Sequence, residues 1–153
     1  MVGDSRGVSR GVSSSASSSE SVTNGIRIAV DSRHMPEHEE EAPDRRVFGY
    51  WITITNESYE DVQLIGRHWV IIDGEGECVE IDGDGVLQSQ PRIPAGERYT
   101  YASFCPLRTD WGTMEGHYTF QRADSSTFQA AIARFHLFVS TEDAKRSSEP
   151  TSP

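Results

Sequence analysis

Residues 47–56 alternate between two kinds of side chain, and this pattern restricts the fold more than any other part of the sequence. Every second position is large and apolar: Phe48, Tyr50, Ile52 and Ile54. Because successive Cβ atoms point to opposite faces of a strand, these four lie on one face and Trp51 lies on the other. The pattern predicts a half-buried strand. Nowhere does the sequence show the i, i+3, i+4 recurrence of a long amphipathic helix, so we predict an all-β protein.

Further strands are predicted between turns that are rich in Gly, Pro, Asn and Asp. They span residues 26–31, 62–73, 77–81, 98–104, 114–122 and 127–138. Tyr118, preceded by Glu115 and Gly116, has the sequence context of a tyrosine corner, whose hydroxyl bonds backbone just upstream, and Trp69 is expected in the core. We therefore predict an immunoglobulin- or fibronectin type III-like antiparallel β-sandwich of seven to eight strands.

The two ends differ in composition from the middle of the chain. Residues 1–21 contain nine serines and no aromatic residue, and residues 141–153 are charged and rich in Ser and Pro. Such segments bury too little apolar surface to offset the entropy of ordering their backbone. The prediction is a single β-sandwich domain at residues 22–140 between two disordered tails, residues 1–21 and 141–153.

The formal net charge of −10 restricts the partners. Phosphate backbones repel such a chain unless its arginines cluster, and no basic stripe is present, so we predict no nucleic-acid binding. No stretch approaches the roughly 18 consecutive apolar residues that span a bilayer. The amino terminus lacks the apolar segment of a secretory signal. We therefore predict a soluble, cytoplasmic protein that does not enter a membrane.

The sequence contains two cysteines, Cys78 and Cys105. They lack the CxxC spacing of a metal or redox site, and no secretory context favours a disulfide. A bridge between two sheets is geometrically conceivable, but two free and mostly buried thiols are the favoured prediction.

Five short blocks of the sequence resemble the ApaG family in order and spacing. The blocks are residues 46–56, Arg67-His68-Trp69, Gly83-x-Gly85-Val86 with Gln90-Pro91, Pro94-x-Gly96-Glu97, and Trp111-Gly112-Thr113-Met114-x-Gly116-x-Tyr118. Together they cover residues 22–138. The resemblance implies a fibronectin type III-like sandwich. It also implies protein binding, since similar domains occur as C-terminal modules of eukaryotic F-box and polymerase-interacting proteins.

The resemblance also implies a second class of function. Bacterial members of the family carry an association with cobalt and magnesium efflux and are often encoded beside a diadenosine tetraphosphate hydrolase. Because this chain has no membrane segment, any role in cobalt or magnesium resistance would be indirect. The alternative function is therefore a binder or sensor of pyrophosphate-containing nucleotides or of divalent cations.

The glycine loop at residues 83–88 is the candidate phosphate site. The family's loop is described as GxGxxG, and this sequence has Gln88 at the third glycine position. In one interpretation the backbone N–H groups of Gly83 and Gly85 hold a pyrophosphate, with Arg92 as charge partner. In the other the segment is a glycine-rich turn between strands. The turn is favoured because dinucleotide-binding glycines lead into a helix, and because Asp82 and Asp84 flank this loop.

The loop containing His34, Glu37 and His38 is a weak metal candidate. Imidazole and carboxylate ligands suit cobalt or zinc. However, Pro36 prevents a helix that would place the two histidines on one face, so no site is preorganised there. A solvated acidic loop is the favoured interpretation.

No local signature of a nucleophile, its base and an orienting group is present, so we predict no catalytic residue, no cofactor and no enzyme activity. A hydrolase acting on nucleotides is the least favoured alternative. The surface offers another role. Trp51 and Trp111 are candidate partner contacts, because tryptophan supplies a large rigid contact area. An edge strand can also accept a partner strand or a second copy of the chain, which would give a homo-oligomer. The leading hypothesis is a non-catalytic module that binds a protein partner.

Overall fold

The computed structural model describes residues 17–139, which form two antiparallel sheets packed face to face. The strands are β1 (Ser17–Thr23), β2 (Ile26–His34), β3 (Arg46–Asn56), β4 (Val62–Asp73), β5 (Cys78–Asp84), β6 (Arg92–Ile93), β7 (Arg98–Leu107), β8 (Trp111–Arg122) and β9 (Thr127–Phe138). A 3₁₀ helix, Pro36–Glu41, joins β2 to β3. Predictions for residues 1–16 and 140–153 lie outside the described residues.

The strand order confirms the predicted all-β sandwich. One sheet has the order β1-β2-β3-β7, and the other has the order β9-β8-β4-β5. The short strand β6 pairs with β4 beyond the end of β5, where Ile93 lies opposite Val62. Because β7 lies beside β3 and β5 lies beside β4, each sheet ends in an edge strand on the same side of the molecule.

The apolar face of β3 forms much of the core, as its alternation indicates. Phe48, Ile52 and Ile54 are fully buried, and Trp69 packs in the same core from the opposite sheet. The tyrosine-corner prediction was wrong. The Tyr118 hydroxyl lies 2.5 Å from the Tyr101 hydroxyl in the other sheet, so it links the two layers instead of bonding backbone just upstream.

Strand β1 lies partly inside the segment that the sequence assigns to a disordered tail. Its residues 17–21 pair with β2, and the turn between the strands is Asn24-Gly25, with φ angles of 50° and 82°. Both angles lie in the left-handed region that two-residue hairpin turns require. The turn was recognised in the sequence, but the strand before it was not, because its serines carry no apolar alternation.

The β1 side of the sandwich is closed by hydroxyl groups. Every second residue of β1, from Ser17 to Thr23, faces the edge of β9. Ser19 Oγ donates to the Ala133 carbonyl at 2.7 Å, Ser21 Oγ donates to the Ala131 carbonyl, and the His136 amide donates to Ser17 Oγ at 3.1 Å. The two sheets therefore join along this side without a continuous backbone ladder.

Both cysteines are free, as predicted, but only Cys105 is buried, whereas Cys78 is exposed on β5. The expectation of two mostly buried thiols was wrong for Cys78 because β5 is an edge strand with nearly all of its residues exposed. Within residues 17–139, no helix has the length and apolar character needed to cross a bilayer.

Candidate functional site

The side opposite β1 and β9 is open, and a cavity of about 520 Å³ lies there between the edges of β5 and β7. Its walls are mainly apolar: Tyr50, Trp69, Ile71, Val79, Ile81, Leu107 and Met114. The residues at one end are charged: Arg45, Asp73, Glu77 and Arg108. We call this cavity, together with the two strand edges beside it, the open groove.

Aromatic rings form the floor of the open groove. The rings of Tyr50 and Trp69 meet edge to face with their centroids 5.4 Å apart. Phe135 packs behind them, 6.0 Å from the Trp69 ring. Edge-to-face contacts of this kind stabilise a fixed arrangement, so the floor is a rigid apolar surface.

The rim of the open groove exposes apolar side chains. Val79 and Ile81 of β5 are 53% and 40% exposed. Neither β5 nor β7 pairs with a further strand in the described part of the chain. Apolar side chains therefore lie beside unpaired backbone groups, a combination that strand-adding partners use.

Asp73 shapes the charged end of the groove. Its carboxylate accepts the backbone N–H groups of Glu75 at 2.9 Å and Glu77 at 3.0 Å, which fixes the turn between β4 and β5. The turn directs β5 back along β4 and brings Val79 and Ile81 to the rim. Oδ1 of Asp73, which accepts both bonds, thus has a structural role in the turn.

Arg67 fixes the carboxyl end of β5 and the loop that follows it. Its Nη1 donates to the carbonyls of Asp84 at 3.1 Å and Gly85 at 2.9 Å. A Cβ atom at Gly83 would lie 2.5 Å from the guanidinium carbon, so a larger residue there would displace the end of the Arg67 side chain. Sequence analysis missed this role of Arg67, although Arg67 and Gly83 both belong to the blocks that resemble the family.

Burial alters the acid–base behaviour of the groups beneath the groove. Burial raises the pKa of the Cys105 thiol to about 12. Burial also raises the pKa of Tyr50, Tyr101 and Tyr118 above the ordinary range of a phenol. All four groups therefore stay protonated near neutral pH, and none is a ready nucleophile or base.

The glycine loop predicted to hold a phosphate has the geometry of a tight turn. The Gly85 amide donates to the Ile65 carbonyl at 2.9 Å, and the Val86 amide donates to the Ser89 carbonyl at 2.8 Å. A Cβ at Gly85 would lie 1.8 Å from the Ser89 carbonyl oxygen, which explains the glycine. Gln88, at the third position of the motif, keeps a positive φ of 63°.

Arg92, the predicted charge partner of that loop, lies exposed on β6. Because the Gly85 amide is already bonded within the protein, a phosphate would have to replace that bond. The phosphate site at Gly83, Gly85 and Arg92 stays a prediction, and the hydrogen bonds of the loop favour the turn interpretation.

The metal candidates do not form a ligand cluster. His34 is buried, and its Nε2 lies 2.5 Å from Oε2 of Glu39, which also accepts the Val47 amide at 3.1 Å. His38 instead packs on the Phe104 ring, with the centroids 4.8 Å apart, and Glu37 is exposed. Within residues 17–139, no three His, Cys, Asp or Glu side chains are arranged to hold a metal ion.

Trp51 and Trp111, the predicted partner contacts, lie on different sheets. Trp51 is 38% exposed on the outer face of β3, where the Arg33 guanidinium lies 5.5 Å from the centroid of its ring. Trp111 is 54% exposed at the start of β8. The structure therefore does not bring the two side chains into one surface, and neither lines the open groove.

A polar site that sequence analysis did not find lies on the outer face of β4 and β8. The His68 and His117 rings stack with centroids 5.1 Å apart, and Asp82 Oδ1 lies 2.6 Å from His68 Nδ1. A shallow cavity of about 480 Å³ opens here. Desolvation, followed by repulsion from His68, lowers the pKa of His117. His68, Asp82 and His117 meet because β4 pairs with both β5 and β8. The pattern of a single strand does not reveal this pairing.

Comparisons with known proteins agree with this architecture. The sequence model of the ApaG domain family matches residues 36–122. The Protein ApaG of Anaeromyxobacter dehalogenans (strain 2CP-C) is 43% identical over 118 residues, which cover 77% of this chain and 93% of the relative. The Protein ApaG of Methylobacterium sp. (strain 4-46) is 44% identical over 117 residues, with coverages of 76% and 90%.

A protein of Bordetella pertussis with a solved crystal structure is 38% identical and superposes with a TM-score of 0.70, covering 74% of this chain and 93% of that protein. The sequence match, the shared fold and the coverage therefore lead to one conclusion. The chain belongs to the ApaG domain family.

Proposed function

We propose that this ApaG-domain protein is a non-catalytic module that binds a segment of a partner protein in the open groove. The observation that carries the proposal is the apolar cavity of about 520 Å³ between two unpaired strand edges. In a sandwich whose other side is closed by hydroxyl bonds, this is where a further chain can add to a sheet and bury apolar side chains at the same time.

The exposed apolar residues support binding. Val79 and Ile81 lie along the rim, and exposed apolar side chains next to a cavity are typical of an interaction site. The aromatic floor of Tyr50 and Trp69 supplies the rigid central surface that binding hot spots use.

The chemistry of the groove supports the absence of catalysis. The one thiol in its wall, Cys105, has a pKa of about 12 and stays protonated at neutral pH. Asp73 uses its carboxylate to accept two backbone amides. The groove therefore offers contact surface without an activated nucleophile. Two free thiols fit a reducing compartment, and we propose the cytoplasm as the setting.

Trp51 and Trp111 are proposed as secondary contacts outside the groove. Each is exposed and large enough to anchor a partner, but they lie on separate sheets. A single partner would contact both only by wrapping around the molecule. We therefore assign the principal contact to the open groove.

The proposal is tested by selecting binders from a displayed library of random peptides on the full chain. Val79→Asp, which places a carboxylate at the rim, should weaken the selected binders about tenfold or more, because a charge at an apolar contact loses its hydration. Val22→Asp is the matched control, since Val22 is 48% exposed on β1 at the closed side. Circular dichroism and thermal unfolding establish that both variants fold.

The selection has a clear negative outcome. Binders that tolerate Val79→Asp as well as Val22→Asp would place the interaction elsewhere. Recovery of no binder at all would count equally against a peptide-binding groove.

A further inference from the structure

We propose that the partner segment adds as a new strand to the free edge of β5 and that it alternates basic and apolar residues. This inference rests on the proposed function and assigns the chemistry of its partner. It follows from which backbone groups of β5 are free, from the direction of its side chains and from its charge.

The free backbone groups of β5 are identified by the ladder that it forms with β4. The Asp73 amide donates to the Glu77 carbonyl at 3.0 Å at one end, and the Gly85 amide donates to the Ile65 carbonyl at 2.9 Å at the other. Along an antiparallel ladder, bonded and non-bonded pairs alternate. The even-numbered residues of β5 therefore point their N–H and C=O groups away from β4, to the free edge.

The side chains of β5 alternate between apolar and acidic. Val79 and Ile81 point into the open groove, whereas Glu80 and Asp82 point to the outer face of the sheet and are exposed. Residues that lie opposite each other in a ladder share a face. A strand added to β5 would therefore place one set of side chains over the groove and the other beside Glu80 and Asp82.

The charge of Glu80 and Asp82 selects the side chains of the added strand that lie beside them. Glu80 Oε1 lies 3.3 Å from His68 Nε2, and Asp82 Oδ1 lies 2.6 Å from His68 Nδ1. The His68 ring lies between the two carboxylates, and the whole chain carries a formal net charge of −10. Lysine or arginine at the positions opposite Glu80 and Asp82 supplies the missing positive charge, whereas acidic residues there are repelled.

The same charges disfavour a second copy of the chain. If β5 paired antiparallel with β5 of another molecule, Glu80 and Asp82 would face the carboxylates of the copy, and like charges in opposed positions destabilise a ladder. Acidic residues on an edge strand protect against self-pairing and leave the edge available to a basic segment.

The β7 edge is less suited to the segment. The Asn56 amide donates to the Glu97 carbonyl at 2.9 Å, so by the same alternation the even-numbered residues of β7 face the free side. One of these is Pro106, which has no N–H group to donate. The outward side chains of Thr100, Ala102 and Phe104 carry no charge that would select a partner.

Arg67 sets the length of the free edge. Because its guanidinium already occupies the Asp84 carbonyl, the unoccupied part of β5 runs from Cys78 to Asp82. An added strand of about five residues fits there, which is a usual strand length. The rim residues Val79 and Ile81 lie in the middle of that stretch.

The experiment compares three capped synthetic peptides on the full chain by titration calorimetry. One alternates lysine and valine, the second has the same composition with lysines and valines in separate blocks, and the third alternates glutamate and valine. We expect the first to bind about tenfold more tightly than the second and the third not to bind detectably. Hydrogen exchange should slow at the amides of Glu80 and Asp82, while those of Thr100 and Ala102 should stay unprotected.

Two variants test the role of charge. Glu80→Gln combined with Asp82→Asn should weaken the lysine peptide about fivefold, as expected for two exposed charge pairs. Glu80→Lys combined with Asp82→Lys should reverse the preference and favour the glutamate peptide. Equal binding of the alternating and block peptides, protection at Thr100 and Ala102 instead of β5, or a dimer that buries Val79 in solution would each overturn the inference.

Failure of this inference differs from failure of the proposed function. If library-selected binders depend on Val79 but the lysine–valine peptide does not bind, the groove binds partners of another chemistry. If the binding of neither kind of peptide depends on Val79, both proposals are wrong.

Discussion

The strand edges are covered on the β1–β9 side of the sandwich and open on the β5–β7 side. On the first side, alternate serine hydroxyls of β1 bond the backbone of β9, so both edges are covered from within the chain. On the second side, β5 and β7 stay apart, and apolar side chains surround a cavity. Closing an edge stabilises the fold, whereas leaving one open provides a binding surface.

The two sides also differ in their exposed apolar residues. Val22 is the exposed apolar residue of β1, whereas Val79 and Ile81 are exposed beside the cavity on the open side. The open side should therefore tolerate changes that the closed side does not. The following predictions test this difference, from the largest expected effect to the smallest.

The largest expected effect is the difference in reactivity between the two cysteines, which measures the depth of the open side. With a pKa of about 12, only about one in 10⁴ Cys105 thiols is ionised near pH 8, and the side chain is buried. Exposed Cys78 should react with a thiol reagent in the folded protein, and Cys105 only after denaturation. The number of labels is read by mass spectrometry.

The control for this measurement is Cys78→Ser, which should leave no rapid labelling. Rapid labelling of Cys105 in the folded protein would show that the groove opens down to its floor. The open side would then be a deep cleft and not a shallow surface.

Truncating one isoleucine on each side should separate core packing from rim exposure. Ile132→Ala on β9 removes a buried side chain and should lower the free energy of unfolding by about 3 kcal/mol. Ile81→Ala on β5 removes a side chain that is 40% exposed and should cost less than about 1 kcal/mol. Urea unfolding measures both, and equal losses would contradict the assignment of Ile81 to an open rim.

Removing hydroxyls tests whether they close the β1 side. Ser19→Ala and Ser21→Ala each remove a bond to a β9 carbonyl and should each lower the free energy of unfolding by about 1 kcal/mol. Ser18→Ala is the matched control, since Ser18 points outward from the same strand. If all three variants unfold at the same urea concentration, the hydroxyls do not hold the sheets together.

The smallest expected effect is the contribution of His117 to the change of stability with pH. The pKa of His117 lies below its ordinary 6.5, mainly because of desolvation, so the unfolded chain takes up this proton at a higher pH than the folded one. The stabilisation is complete above pH 6.5 and is lost as the pH falls through the folded pKa. His117→Gln should flatten the decrease in the urea midpoint as the pH falls below 6.5. An unchanged slope in the variant would assign the decrease to other groups.

Much of the fold could be predicted from local patterns. The alternation at residues 47–56 predicted strand β3, which spans Arg46–Asn56, because inward and outward positions are encoded residue by residue. Strand β1 was missed because its stabilising partners on β9 lie more than a hundred residues away in sequence. A serine-rich segment looks disordered until such acceptors are in place.

The candidate site was less predictable than the fold. The sequence drew attention to Gly83 and Gly85 as a phosphate loop, while the structure places the Arg67 guanidinium against that segment. Trp51 and Trp111 were selected for their size, whereas the groove is lined by Val79, Ile81 and Trp69. Which side chains share a cavity depends on the packing of two sheets, and no single strand contains that information.

The sequence by itself determined that the chain forms short alternating strands, that they stack into two layers, and that the family is ApaG. These properties depend on neighbouring residues and on blocks of fixed spacing. Only the tertiary structure decided which edges close and which stay open, because that depends on whether hydroxyls on one strand meet carbonyls on a distant one. The proposed binding surface is the place where no such partner within residues 17–139 covers the edge.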